Sequence, residues 1–182
     1  MSSRIRIVGF TGSVREQSYN KAALRASQEL LPENAELEIL TISDLPQYAI
    51  EQDDQEKVRR FQQQVQQADA VLIVSPEYKG MLSNTLRSAL HWADRSVLAG
   101  KPTAVMGIGR QSGTEREQRY LRELLADARA VVLEEPEVYA AAGWEKFDSE
   151  GRLIDETVRQ QIRALLEALV ARAEEAESAL VG

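Results

Sequence analysis

A doubly wound α/β fold is what this sequence predicts: five parallel strands with helices on both faces of the sheet. Short apolar runs alternate with longer amphipathic ones from end to end, and strands spaced this way join through right-handed crossovers. The runs at 4–10, 70–75 and 103–108 are nearly continuous in apolar residues, as strands covered on both faces are. The loops expected to leave strands at one edge, 11–19, 76–83 and 109–114, are rich in Gly, Ser, Pro or charged residues, while several connections at the other edge look like plain turns. Ligands of such sheets bind beyond the carboxyl ends of the strands, where strand order reverses.

The elements follow in order. A strand at 4–10 carries Ile5, Ile7, Val8 and Phe10, and a helix at 20–31 follows the hydroxyl-rich loop. A strand at 36–41 precedes a helix at 54–67, whose Gln-rich stretch 62–67 reads as a solvent-facing side. After the strand at 70–75, a helix at 84–96 places Leu86, Leu90 and Ala93 on one face, the stripe expected of a helix packed on a sheet. The strand at 103–108 leads to a helix at 115–127, and a strand at 130–133 completes the sheet. A last helix at 155–180 aligns Val158, Ile162, Leu165, Leu166 and Leu169 on one stripe, again the face expected to meet the sheet. Its acidic segment Glu174-Glu175-Ala176-Glu177 reads as a solvated end or a contact with a neighbouring subunit.

Composition removes several function classes. The chain has 182 residues, a length suited to a single domain over 1–182. With no cysteine, disulfides, thiolate nucleophiles and sulfur-bound metals are excluded. The single histidine, His91, rules out a multi-histidine metal site and disfavours a Ser-His-Asp triad. A net charge of -7 argues against a nucleic-acid surface, yet a local field can still hold a small anion. No apolar run reaches the length of a membrane span, and no secretory leader is recognisable. The expectation is a soluble cytoplasmic protein that binds neither nucleic acid nor membrane.

The stretch Gly12-Ser13-Val14-Arg15-Glu16-Gln17-Ser18-Tyr19-Asn20, directly after the first strand, gathers hydroxyl donors, a guanidinium and the free N–H groups of a helix start. A phosphate suits such a place, and arginine can grip two of its oxygens. The bland alternative is a turn whose Ser, Gly and Asn only cap the helix. No G-x-x-x-x-G-K-[ST] occurs, and Gly9 and Gly12 fall short of a G-x-G-x-x-G dinucleotide fingerprint. One terminal phosphate of a mononucleotide is the better fit, and flavodoxin-like sheets place FMN at this switch point.

The run Gly12-Ser13-Val14-Arg15, with Ser18 and Asn20, resembles the G-S-[LV]-R-x-x-S-x-N phosphate loop of the NADPH-dependent FMN reductase family, within the flavodoxin-like superfamily. Ser75-Pro76-Glu77-Tyr78 and Leu86-Arg87-Ser88-Ala89-Leu90-His91-Trp92 resemble its P-E-Y-N…L-K-N-A-[IL]-D-W signature, and the segment 144–153 resembles its approach to the last helix. The resemblance spans about 4–170 with the motifs in order. It implies strand order 2-1-3-4-5, with Ser13, Arg15, Ser18, Tyr19 and Asn20 at the FMN phosphate. It also implies that Pro76, Glu77, Tyr78, Lys79 and Gly80 lie along the ribityl chain and ring, and that Gly109 to Gly113 approach the pyrimidine end. Three positions depart from the family pattern: Lys79 where Asn is common, Asn84 where Gly is common, and His91 where Asp is common.

The implied activity is hydride transfer from nicotinamide C4 of NADPH or NADH to flavin N5, then to a quinone or a similar small acceptor such as an azo dye, free flavin or a ferric or other metal species. Donor and acceptor would share one ring face, giving ping-pong kinetics and needing no catalytic acid or base. Glu77 is then expected in a loop hydrogen bond or a subunit contact, and Tyr78 beside the ring or merely walling the loop. His91 and Trp92 read as surface, core or interface residues. Arg110 and Lys79 are the candidates for a 2′-phosphate on NADPH, and backbone N–H groups of 109–113 for charge at the flavin N1/C2 carbonyl. The resemblance further implies a homodimer or homotetramer. The competing reading is a flavodoxin-like electron carrier reduced by a protein partner, which the acidic composition suits.

Overall fold

A computed structural model describes residues 4–48 and 55–181. The elements run β1 (Ile5–Thr11), α1 (Tyr19–Leu30), β2 (Ala35–Ile39), α2 (Gln55–Gln67), β3 (Ala70–Val74), α3 (Asn84–Trp92), α4 (Arg95–Leu98) and β4 (Pro102–Ile108). They continue as α5 (Glu115–Asp127), β5 (Val131–Val132), β6 (Tyr139–Ala140), α6 (Gly143–Lys146) and α7 (Glu156–Val181). Asp54, expected to open the second helix, lies outside the described residues.

The sheet has the order β2-β1-β3-β4-β5 with every pair parallel. This is the flavodoxin-like arrangement. β1 is flanked by β2 and β3, with Ile7 opposite both Leu37 and Ala70. The chain thus leaves β1 toward one side of the sheet and later returns on the other. In sheets of this order, ligands bind at that reversal, above the carboxyl ends of β1 and β3.

Alternating side chains feed two cores. On one face α1 and α7 cover Ile7, Leu72 and Met106 with Leu24, Ile162 and Leu166. On the other, α2, α3 and α5 cover Phe10, Ile73 and Val105 with Phe61, Leu86 and Leu121. All five residues of β3 are 0% exposed, which is why its sequence shows no polar alternation. The stripe Val158, Ile162, Leu165, Leu166 and Leu169 is buried throughout, and each such aliphatic side chain contributes about 1.5–3 kcal/mol on burial.

Two expectations change. The helix expected over 84–96 is two helices, because the Asp94 carboxylate accepts from Ser96 N–H at 2.8 Å and starts α4 afresh. Aspartate competes for nearby N–H groups in this way, and so favours caps over helix interiors. The fifth strand is also split. β5 pairs with the start of β4, through Pro102 and Thr103. The chain then departs through Glu134, Glu135, Pro136 and Glu137, and β6 returns to pair with Gly107 and Ile108 at the end of β4.

Candidate functional site

The loop after β1 begins at Gly12, where no side chain fits: a Cβ would run into Ser83 Oγ and Leu86 Cβ. Ser83 itself donates to Gly12 O at 2.9 Å and accepts from Leu86 N–H at 3.2 Å, so one hydroxyl caps α3 and pins the loop. Ser13 N–H is held by Thr11 Oγ1 at 3.3 Å. Ser18 caps α1, accepting from the N–H groups of Asn20 and Lys21 at 3.2 and 3.4 Å. Its hydroxyl proton remains able to donate. Arg15 is exposed, and it makes no hydrogen bond or ion pair among the described residues.

Asn20 has a different task. Its amide donates to Ile108 O at 3.0 Å, and its carbonyl accepts from Ile108 N–H at 2.9 Å, with the residue 5% exposed. It takes the place of a neighbouring strand where β4 outruns β3, and so ties the start of α1 to the end of β4. The Tyr19 ring stacks on Phe147, with centroids 5.5 Å apart. It also fills the space a side chain at Gly143 would need.

The loops after β3 and β4 meet beside this. Lys79 and Gly80 are consecutive left-handed residues, at φ 53° and 74°, a conformation that disfavours a non-glycine residue by about 1–2 kcal/mol. Glu117, 2% exposed in the first turn of α5, steadies that turn by accepting from Tyr78 N–H at 3.3 Å and Gly80 N–H at 2.7 Å. Glu77 reaches the other way, accepting from Arg110 N–H at 3.1 Å, Gln111 N–H at 3.5 Å and Ser112 Oγ at 3.0 Å. The backbone folds so tightly that a Cβ on Gly109 would overlap Ser112 O, and one on Gly113 would meet the Glu115 carboxylate. Gly109 is further held by Ala140 O at 2.7 Å and Gly143 N–H at 3.0 Å.

All twelve positions singled out from the sequence therefore lie on the three loops or at the start of α1, on the carboxyl edge of the sheet. Their side chains divide the work: Ser13 and Arg15 stand open, Ser18 is a cap, Asn20 and Tyr19 are packed inward, and Tyr78 is 59% exposed. The N–H groups of Arg110 and Gln111, expected to face a ligand, are directed at Glu77 instead. Sequence reasoning passed over Glu117 and Ser83. Ser83 before an apolar-periodic run carries a capping signal, whereas nothing marks Glu117 among the many surface glutamates. Lys79, Arg110 and Arg116 are exposed on the loops after β3 and β4 and the first turn of α5, and none has an ion pair among the described residues.

The sequence profile of the NADPH-dependent FMN reductase family matches residues 5–145. The chain belongs to that family. An NAD(P)H-dependent FMN reductase of Pseudomonas aeruginosa is 36% identical over 179 residues, covering 93% of this chain and 95% of the relative. A 2-hydroxy-1,4-benzoquinone reductase of Burkholderia sp is 32% identical over 174 residues, covering 92% and 95%. An NAD(P)H:quinone oxidoreductase of Solanum tuberosum is 33% identical over 180 residues, covering 93% of each. Among solved structures, the flavoenzyme NAD(P)H:(acceptor) oxidoreductase FerB of Paracoccus denitrificans superposes with a TM-score of 0.83 at 28% identity, covering 94% of this chain and 98% of that one. As an FMN reductase, the protein is an oxidoreductase that uses FMN and a nicotinamide donor with small acceptors. The site suits that cofactor. Ser75 Oγ is buried without a partner at the end of β3, Gly12 and Gly109 let backbone come close, and the open Arg15 is a phosphate-seeking group. No helix among the described residues is long and apolar enough to cross a membrane.

Proposed function

We propose that the chain reduces quinones with NAD(P)H, holding FMN across the three loops of the carboxyl edge. The observation that carries this reading is the open Arg15 on the loop between β1 and α1, at the same sheet edge as loops whose backbones are already fixed. Arg15, Ser13 and the Ser18 hydroxyl donate to the phosphate, and Tyr19 offers its backbone N–H. Asn20 acts one step back, by fixing the start of α1 against Ile108. Pro76, Glu77, Tyr78, Lys79 and Gly80 line the ribityl chain and ring, and Gly109 to Gly113 border the pyrimidine end. Bound FMN supplies the hydride chemistry; the protein supplies placement and electrostatics. The side chains here need not move a proton, so the reading assigns no catalytic acid or base. Donor and acceptor take turns at one open face, which makes the kinetics ping-pong. Arg110 and Lys79, both exposed and without ion pairs among the described residues, meet a 2′-phosphate when NADPH is the donor.

The quinone reading draws support from the names of the Burkholderia and potato relatives. The chain works as one cytoplasmic domain, in a homodimer or homotetramer. A groove of about 420 Å³ between α3 and α5 supports the assembly. It offers Leu90, Leu124 and Ala128 beside Arg87, Arg95, Asp94 and Asp127, a mixed apolar and charged lining that a second copy could cover.

The test is an anaerobic absorption experiment on protein loaded with FMN, mixed with NADPH and separately with NADH, followed by steady-state kinetics with benzoquinone. The expected result is rapid bleaching of the bound flavin band and parallel double-reciprocal lines. A bound band that persists with both donors overturns the reductase reading, and absence of any bound flavin overturns the site.

A further inference from the structure

Glu77 and Glu117 exchange backbone partners. Glu77 stands on the loop after β3 and accepts from Arg110 N–H, Gln111 N–H and the Ser112 hydroxyl on the loop after β4. Glu117 follows the β4 loop, in the first turn of α5, and accepts from Tyr78 N–H and Gly80 N–H on the loop after β3. Each carboxylate fixes the other's loop. Hydrogen bonds to a carboxylate are about twice as strong as neutral ones, and neither residue has an ion pair among the described residues. The left-handed turn at Lys79 and Gly80 is disfavoured in isolation; Met81 N–H closes it on Tyr78 O at 3.0 Å, and the buried Glu117 holds it from outside. On the other loop, N–H groups that would otherwise face a flavin already face Glu77. A charge fixed there opposes the gain of electrons by a nearby ring.

We propose that Glu77 and Glu117 are a reciprocal pair of positioning residues for the FMN ring, and that the charge of Glu77 also lowers the reduction potential of the bound flavin. The pair acts on the flavin placement proposed above and falls with it. The parent, Glu77→Ala, Glu77→Gln and Glu117→Ala proteins are compared by two readouts: FMN dissociation constants from quenching of flavin fluorescence, and midpoint potentials by equilibration with a reference dye. Circular dichroism confirms that each variant is folded.

Glu77→Ala is expected to weaken FMN binding about tenfold, and Glu77→Gln to recover most of that affinity, since its amide oxygen accepts the same N–H groups. Glu77→Gln should also favour reduced over oxidised FMN by about tenfold relative to the parent, an upward shift of about 30 mV for a two-electron couple. Glu117→Ala should weaken FMN binding several-fold, because the N–H groups of Tyr78 and Gly80 lose their acceptor; parent-like affinity in it overturns the Glu117 half of the pair. Combined with Glu77→Ala, its loss should be less than additive, because both act on one pair of loops. An unchanged potential in Glu77→Gln overturns the charge effect. Parent-like FMN affinity in Glu77→Ala overturns the positioning role. A parent that binds no FMN instead overturns the flavin placement itself.

Discussion

At the start of α1, neighbouring residues with similar chemistry do unlike things. Ser18 caps the helix, Asn20 mends the end of β4, and Arg15 stands free. The sequence marks the loop as an anion site through its residue types, but not this division, since the partner of Asn20 is Ile108, 88 residues away. Two substitutions separate the roles. Under the proposed placement, Arg15→Ala removes a charge-assisted contact to the FMN phosphate of about 1.5–3 kcal/mol. An FMN titration should therefore show affinity falling about ten- to a hundredfold, with the reduction rate of fully loaded enzyme little changed. Asn20→Ala leaves the N–H and C=O of Ile108 unpaired in a buried place, and urea unfolding should show a loss of about 2 kcal/mol. An Asn20→Ala protein as stable as the parent would refute the strand-mending role.

Elements were most legible where they are long or apolar. The buried stripe of α7 and the continuous runs of β1, β3 and β4 could be read directly, because helical spacing and two-sided burial leave plain patterns. The short pieces could not. β6 has two residues and hides behind an acidic excursion, while α4 depends on one aspartate cap. α7 has a cap of its own: Asp155 accepts from Val158 N–H at 2.9 Å and pairs with Lys146 at 2.9 Å. Lys146 first, and then that N–H, hold the Asp155 carboxyl below the usual range. The folded protein therefore binds this proton less readily than the unfolded chain. The contribution is present above the unfolded value, about pH 3.9, and is lost as pH falls through the lower folded one. Lys146 is raised by the same partner, so its share is present below the unfolded lysine value and fades at alkaline pH. Acid-unfolding midpoints should move to higher pH in Lys146→Met, with Asp155→Asn showing a flatter acid limb by circular dichroism.

For the whole molecule, alternation of strands and helices pointed to the sheet, and the carboxyl-edge rule pointed to the loops. Which backbone groups remain open there could not be read, because Glu77, Glu117 and Asn20 act across loops that are distant in sequence. Under the proposed placement, cofactor and fold are coupled through the same edge. FMN at a hundred times its dissociation constant adds about 2.7 kcal/mol to stability, which for a chain of this size raises Tm by about 5–10 °C. Differential scanning fluorimetry should show that rise in the parent and much less of it in Arg15→Ala at the same FMN concentration. The Asn20 clip has a further consequence, for synthesis. The loop after β1 is made well before Ile108, Glu117 and Ala140, which brace the edge. A nascent chain must make β6 before the edge is fully braced, so under the proposed placement cofactor capture follows the synthesis of β6 and cannot begin at the loop alone.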